Sequence, residues 1–365
     1  MLINIQFLRF AAALAVVIYH ASKHVAMSGA DQGFFFSAGE AAGFAGVDVF
    51  FVISGFIMFY TTEGSSGGAS SVDFLKRRVA RIYSGYWPFF IFAALVFAWA
   101  RPDHFAEAGL LSSAALWPMP LNHVLLDVSW TLTYEMYFYL LFTALVLTGA
   151  RLRWQLIIFA LAGMFAYNLY RHFVLHDFSP ENIYNHSFSS QFLTSPFLLE
   201  FFAGAVIAAV AGRKSFGSGW ALLLGGMALF AGAGLANALG YDGKIEQGYY
   251  VVPRVLLFGI PSGLILLGLV QLERDGAVAP RKFSLYAGGA SYAIYLSHTI
   301  FLVATMKLGF NVALEGLPDF VVQLIFGFYC ALIVAFSIGW YRLVERPLHA
   351  VFKRALRIKR PPAND

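Results

Sequence analysis

Ten long apolar runs constrain this chain more than any other feature of its sequence. Each is close to the roughly 20 residues that an α-helix needs to cross the hydrocarbon core of a bilayer. A backbone surrounded by lipid must satisfy its hydrogen bonds internally, so these runs are predicted to be helical. They lie at residues 6–26, 43–62, 85–100, 129–149, 155–172, 196–212, 219–238, 251–272, 285–307 and 320–344.

The composition agrees with a membrane protein. Hydrophobic residues make up 59% of the 365 residues and charged residues only 12%, which is far more apolar than a soluble domain. We therefore predict an all-α, polytopic integral membrane protein with about ten transmembrane helices. Residues 1–348 are predicted to form the transmembrane domain, and residues 349–365 a basic cytoplasmic tail. No nucleic acid partner is expected.

The basic residues predict the orientation of the chain in the membrane. With the N-terminus inside and ten spans, 18 of the 25 lysines and arginines fall on the cytoplasmic side. Cytoplasmic loops of membrane proteins carry such an excess of positive charge. Adding or removing one span would scramble this alternation, so both termini are predicted to be cytoplasmic.

The first apolar run carries two ionisable residues on one helical face. Arg9 and His20 are eleven positions apart, which places their side chains within roughly 20° of each other and about 16 Å apart along the axis. Ionisable residues inside a membrane helix are costly and usually face protein or a cavity. This spacing therefore indicates a polar track through the bilayer.

Further ionisable residues are predicted to lie in the outer half of the membrane. Histidine can move a proton near neutral pH, and a carboxylate facing the ring can fix its tautomer. We interpret His20 as a general base and Glu135 as the carboxylate that orients it. The six residues of this group are His20, Asp48, Glu135, Glu200, Arg254 and His298.

A structural interpretation stays open for several of these residues. Asp48 could satisfy neighbouring backbone groups or lie at the interface. Glu200 and Arg254 could form an ion pair between the sixth and eighth spans. His298 could hydrogen-bond to a neighbouring helix.

A basic segment, FLKRRVARIY at residues 74–83, follows the second span. Anchoring at the cytoplasmic surface explains such a cluster by itself. Together with Arg9, however, Arg77, Arg78 and Arg81 could also hold a phosphate-rich ligand through charge and forked hydrogen bonds. The sequence has no glycine-rich phosphate loop and no close-spaced set of metal ligands, so neither nucleotide hydrolysis nor a metal site is expected.

Seven segments, in order, resemble the membrane-bound acyltransferase-3 family. Arg9 and His20 in FLRFAAALAVVIYH match its motif of arginine, ten residues and histidine. The other segments are GVDVFFVISGFIMFY, FLKRRVARIY, SWTLTYEMYFYL, LLEFFAGAVIA, GGASYAIYLSH and VERPLH. Two departures are Ser84, where the family commonly has proline, and Thr131, where it often has serine.

Within that family, the chain is most similar to bacterial exopolysaccharide O-acetyltransferases of the succinoglycan type. The resemblance implies transfer of an acetyl group from cytoplasmic acetyl-CoA to a hydroxyl of a polysaccharide or lipid-linked glycan. Acetyl-CoA is then a co-substrate, and no permanently bound cofactor is expected. The implied location is the bacterial cytoplasmic (inner) membrane.

The resulting hypothesis assigns a role to each candidate residue. Arg9, Arg77, Arg78 and Arg81 bind the CoA phosphates, and His20 acts as base with Glu135 and His298 as further catalytic residues. Two interpretations from other classes remain: a transporter of a glycan or acylated precursor, and a non-catalytic scaffold of a polysaccharide assembly complex. The candidate substrate-binding residues are Asp48, Thr131, Tyr134, Glu200 and Arg254.

Overall fold

The computed structural model describes residues 2–176, 188–212, 216–240 and 252–358. Its first helices are α1 (Ile3–Met27), α2 (Gly33–Ala42), α3 (Gly46–Thr62), α4 (Gly67–Ala100), α5 (Pro102–Glu107), α6 (Leu110–Ala115), α7 (Trp130–Leu147), α8 (Ala150–Phe173) and α9 (Phe188–Leu193). The others are α10 (Phe197–Ala211), α11 (Gly219–Ala238), α12 (Val252–Arg254), α13 (Ile260–Arg274), α14 (Arg281–Gly289), α15 (Ser291–Lys307), α16 (Phe310–Ala313), α17 (Asp319–Trp340) and α18 (Arg346–Ala355).

These helices confirm the predicted all-α, polytopic membrane fold. Nine continuous segments in the described part of the chain are long and apolar enough to cross a membrane. A tenth candidate is the pair α14 and α15, whose axes are bent by 50°. The ten segments correspond to the ten predicted runs. The predicted domain boundary after residue 348 lies inside α18, and residues 359–365 of the predicted tail lie outside the described residues.

Segments that were predicted to share the cytoplasmic side meet at one end of the bundle. The backbone N–H groups of Ile3 and Asn4 donate to the carboxylate of Glu273 at 2.7 and 2.8 Å. The guanidinium of Arg153, at the start of α8, donates to the carbonyl of Thr62 at 3.0 Å. These contacts support the predicted alternation of the spans. Which side of the membrane this end faces stays a prediction.

The basic segment at residues 74–83 is helical and belongs to a longer helix. Helix α4 runs without a break from Gly67 to Ala100. Phe74 and Ile82 are buried against the core, so one face of this segment packs inside the protein. A helix with one buried face carries its arginines at fixed angles around the axis. The segment therefore directs some of its cations inward.

Two π-helical turns interrupt the later spans. One covers Val255–Gly259, directly after Arg254, and the other covers Tyr341–Glu345. Turns of this type are rare and are frequently found at functional sites. Each of them lies beside a buried ionisable residue, because Arg254 and Glu345 are both nearly inaccessible to solvent.

Candidate active site

An internal cavity of about 480 Å³ lies between α1, α3, α4, α7 and α15. Its volume falls within the range of roughly 300–1,000 Å³ that is typical of small-molecule sites. It follows α3 from Val47 to Thr61, which corresponds to about 21 Å along the helix axis. Its polar lining residues are Gln6, Arg9, Ser54, Tyr60, Thr61, Arg78, Arg81, Thr131, Glu135, Tyr139, Ser291, Tyr292 and Tyr295.

Three of the four arginines that were predicted to bind phosphate line this cavity. Arg78 donates a hydrogen bond to the Thr61 hydroxyl at 2.8 Å. Arg81 forms a 2.5 Å ion pair with the fully buried carboxylate of Glu345. Arg9 forms no hydrogen bond or ion pair with any residue that the structure describes. Its guanidinium can therefore bind an anion that enters the cavity.

The fourth arginine, Arg77, does not line the cavity. Its guanidinium is bound to the carboxylate of Asp73, one helical turn earlier, with an Nε–Oδ2 distance of 2.8 Å. Both side chains are more than one-third exposed. Helical periodicity places Arg77 only about 40° from Arg81 around the axis. Its bond to Asp73, and not its angular position, keeps it out of the predicted cluster.

Glu135 lies at the arginine-lined part of the cavity and not beside His20. Its carboxylate accepts a short hydrogen bond from the Tyr139 hydroxyl and lies 3.4 Å from the Ser54 hydroxyl. Glu135 is also one of the charged groups around Arg9. No hydrogen bond joins Glu135 to His20 in the described structure, so the predicted orienting contact is wrong. One turn of α7 separates Glu135 from Thr131, which lies at the end of the cavity nearest to the histidines.

Thr131, Tyr295 and Phe50 line the opposite end of the cavity. The Tyr295 hydroxyl donates to the carbonyl of Val128 at 3.1 Å, and the Thr131 hydroxyl lies 3.1 Å from the Tyr295 oxygen. The rings of Phe50 and Tyr295 pack edge to face, with centroids 6.0 Å apart. These side chains close the cavity at this end.

Two histidines lie directly behind this closed end. The ring of His298 is 5.8 Å from that of Tyr295 and 4.9 Å from that of His20, measured between centroids. His298 Nε2 lies 3.2 Å from His20 Nδ1. The structure thus brings together the two predicted catalytic histidines from α1 and α15. Neither of them lines the cavity itself.

Asp48, Glu200 and Arg254 form a separate buried cluster. Arg254 binds the carboxylate of Asp48 through two hydrogen bonds of 3.2 and 2.8 Å. The carboxyl group of Glu200 lies beside that of Asp48 and forms no ion pair with Arg254 within the described residues. The ion pair predicted between Glu200 and Arg254 is therefore wrong, because the guanidinium is directed to α3 instead. None of the three residues lines the cavity.

Tyr134 is also absent from the cavity wall. Its ring packs against Phe192, with centroids 4.4 Å apart, and against Trp130 at 5.8 Å. The side chain is almost completely buried. Of the predicted substrate-binding residues, only Thr131 lines the cavity.

The sequence reasoning missed several residues of the site, among them three tyrosines and one glutamate. Tyr139 follows Glu135 by one helical turn, a spacing at which side chains on a helix interact. Tyr292, Tyr295 and His298 follow one another at intervals of three residues, so helical spacing makes each the neighbour of the next. Glu345 belongs to the quoted segment VERPLH, but only the folded chain shows its ion pair with Arg81.

Comparison with known proteins identifies the family. The profile described as an acyltransferase domain matches residues 2–341. The chain is 30% identical to an "Exopolysaccharide production protein ExoZ" of Rhizobium meliloti over 326 residues, which cover 84% of this chain and 89% of that protein. No solved structure gives a significant match.

A shorter match agrees with this assignment. An "O-acetyl transferase" of Shigella phage Sf6 is 32% identical over 99 residues, which cover 27% of this chain and 28% of the relative. These relationships favour an enzyme over a transporter or a scaffold. The chain is an O-acyltransferase and belongs to the membrane-bound acyltransferase-3 family.

Proposed function

We propose that this enzyme transfers an acetyl group from cytoplasmic acetyl-CoA to a hydroxyl of an extracytoplasmic polysaccharide or lipid-linked glycan precursor. The observation that carries the proposal is the cavity, which has arginines at one end and the His20–His298 pair behind the other. An enzyme with this arrangement can bind a donor on one side of a membrane and react on the other. Its location is then the bacterial inner membrane.

The arginine-lined end suits the phosphates of CoA. Arg9 and Arg78 present guanidinium groups, which bind phosphate by charge and by directed hydrogen bonds. The wall between this end and Tyr295 is largely apolar and includes Ile53 and Leu132. Such a wall fits the pantetheine arm, whose thioester would then lie near Tyr295.

His20 supplies the base in this proposal. It takes the proton from the acceptor hydroxyl as the oxygen attacks the thioester carbonyl, and it returns that proton to the sulfur of the departing CoA. Because Phe50 and Tyr295 separate the cavity from the histidines, these rings must move for the thioester to reach His20. A short-lived acyl-histidine at His20 is an alternative chemistry with the same donor and acceptor.

The acceptor class is supported by the names of the relatives. One is described as an exopolysaccharide production protein and the other as an O-acetyl transferase. A glycan hydroxyl is the acceptor that both descriptions suit.

The test uses purified protein in lipid nanodiscs, acetyl-CoA labelled in the acetyl group, and polymeric or lipid-linked glycans. We expect label to appear in the glycan with the native protein and to be lost with His20→Ala, provided that the variant remains folded. If His20→Ala still transfers label to the glycan, the role of His20 as the base is overturned. The absence of transfer from acetyl-CoA to every glycan tested would overturn the proposed donor and acceptor.

A further inference from the structure

We assign the protons of the two histidines from their hydrogen-bond partners. His20 Nδ1 is 3.0 Å from the carbonyl oxygen of Val16, and His298 Nδ1 is 3.3 Å from that of Ile294. A carbonyl oxygen can only accept a hydrogen bond, so each Nδ1 carries a hydrogen. A neutral ring with its hydrogen on Nδ1 has a lone pair on Nε2.

This arrangement sets the direction of the contact between the rings. His298 Nε2 accepts from the Nδ1–H of His20 at 3.2 Å, and the same N–H is shared with the carbonyl of Val16. No carboxylate lies within hydrogen-bonding distance of either ring among the described residues. His298 thus occupies the place that a carboxylate takes beside many catalytic histidines.

We propose that His298 is a positioning residue that holds His20 with its hydrogen on Nδ1 and leaves Nε2 as the basic atom. This inference rests on the proposed role of His20 as the base. His298 is fully buried and is fixed by α15, so its ring can define the orientation of the His20 ring. In metal sites, neighbours that orient a histidine ligand typically change affinity or activity by about 10–100-fold, and we expect an effect of that size here.

The proton balance follows from this assignment. The acceptor O–H loses its proton to Nε2 of His20 while the new C–O bond forms and the thioester C–S bond breaks. The resulting imidazolium is stabilised because its Nδ1–H donates to His298 Nε2 and to the Val16 carbonyl. Nε2 then returns the proton to the CoA sulfur, which leaves as the thiol.

Three variants separate positioning from packing. His298→Leu removes the acceptor, whereas His298→Gln places an amide oxygen near the position of Nε2. Ser297→Ala is the matched control, because it removes a buried 3.0 Å hydrogen bond between α15 and α17 without touching His20. We expect His298→Leu to lower kcat about 10–100-fold with an unchanged KM for acetyl-CoA. We expect His298→Gln to recover much of that loss and Ser297→Ala to retain native kcat.

Solid-state ¹⁵N NMR of histidine-labelled protein in bilayers tests the pairing without activity. The His20 signals are assigned by their loss in His20→Ala, and we expect a protonated Nδ1, an unprotonated Nε2 and a scalar coupling between His20 Nδ1 and His298 Nε2. A proton found on Nε2 of neutral His20, native kcat in His298→Leu, or equal loss in the Gln and Leu variants would overturn the proposal. If the NMR pattern is found but no acetyl transfer occurs, the proposed function fails while the pairing stands.

Discussion

The guanidinium of Arg81 and the carboxylate of Glu345 form a 2.5 Å ion pair across 264 residues of sequence. This contact fixes one wall of the cavity, because Arg81 lines it and Glu345 belongs to the last span. The Glu345 side chain is fully buried, whereas that of Arg81 is 26% exposed. The pair thus links the end of the chain to the proposed donor site.

We expect Glu345→Gln to destabilise the protein, because Arg81 would lose its ionic partner. Breaking a buried pair by removing one member typically costs about 3–5 kcal/mol. The measurement is thermal unfolding in detergent. The double variant Arg81→Met, Glu345→Met is the comparison, and it should be more stable than Glu345→Gln although its acetyl transfer is impaired. Equal stability of native protein and Glu345→Gln would contradict the role of the pair.

Two amide substitutions in the buried cluster of Asp48, Glu200 and Arg254 should differ in their effect on stability. Asp48→Asn removes the charge that binds Arg254 and should cost about 3–5 kcal/mol of unfolding free energy. Glu200→Gln should change it by less than about 1 kcal/mol, because Glu200 forms no ion pair with Arg254 among the described residues and glutamine keeps its shape. Chemical unfolding of the two variants under the same conditions tests this difference. A larger effect at Glu200 than at Asp48 would refute it.

Adjacent arginines on α4 provide a matched test of donor binding. Arg78 lines the cavity, whereas Arg77 is bound to Asp73 outside it. Hydrogen bonds to charged groups contribute about 1.5–3 kcal/mol, so Arg78→Ala or Arg9→Ala should raise the KM for acetyl-CoA roughly 10–100-fold. Arg77→Ala should leave that KM nearly unchanged. Steady-state kinetics with acetyl-CoA as the varied substrate measures these KM values. A larger increase in KM for Arg77→Ala than for Arg78→Ala would reject the cavity as the donor site.

Phe50 is expected to limit the length of the acyl group. Its ring closes the cavity together with Tyr295, next to the histidines. One methylene misplaced in a tight pocket costs about 1–3 kcal/mol, so native activity should fall roughly tenfold or more from acetyl-CoA to butyryl-CoA. Phe50→Ala should lower the ratio of activity with acetyl-CoA to activity with butyryl-CoA. Ile57→Ala, which enlarges the cavity nearer its arginine-lined end, should not change the ratio. Equal ratios in native protein and Phe50→Ala would exclude Phe50 as the limit.

Much of the fold can be predicted from local sequence. Membrane spans are defined by the length and apolarity of continuous runs, and the ten predicted runs correspond to the observed segments. The shared face of Arg9 and His20 likewise follows from helical periodicity within one run. The basic segment shows the limit of this reasoning, because its charges alone did not reveal that α4 continues through it.

The sequence by itself determined the spanning helices, the family and the shared face of Arg9 and His20 on α1. Only the tertiary structure decided which side chains meet across helices: His20 with His298 across 278 residues, Arg254 with Asp48 across 206, and Arg81 with Glu345 across 264. It also placed Glu135 at the cavity and not beside His20. The physical reason is that a helical repeat fixes which side chains share a face of one helix. Which other helix meets that face depends on how all the spans pack together.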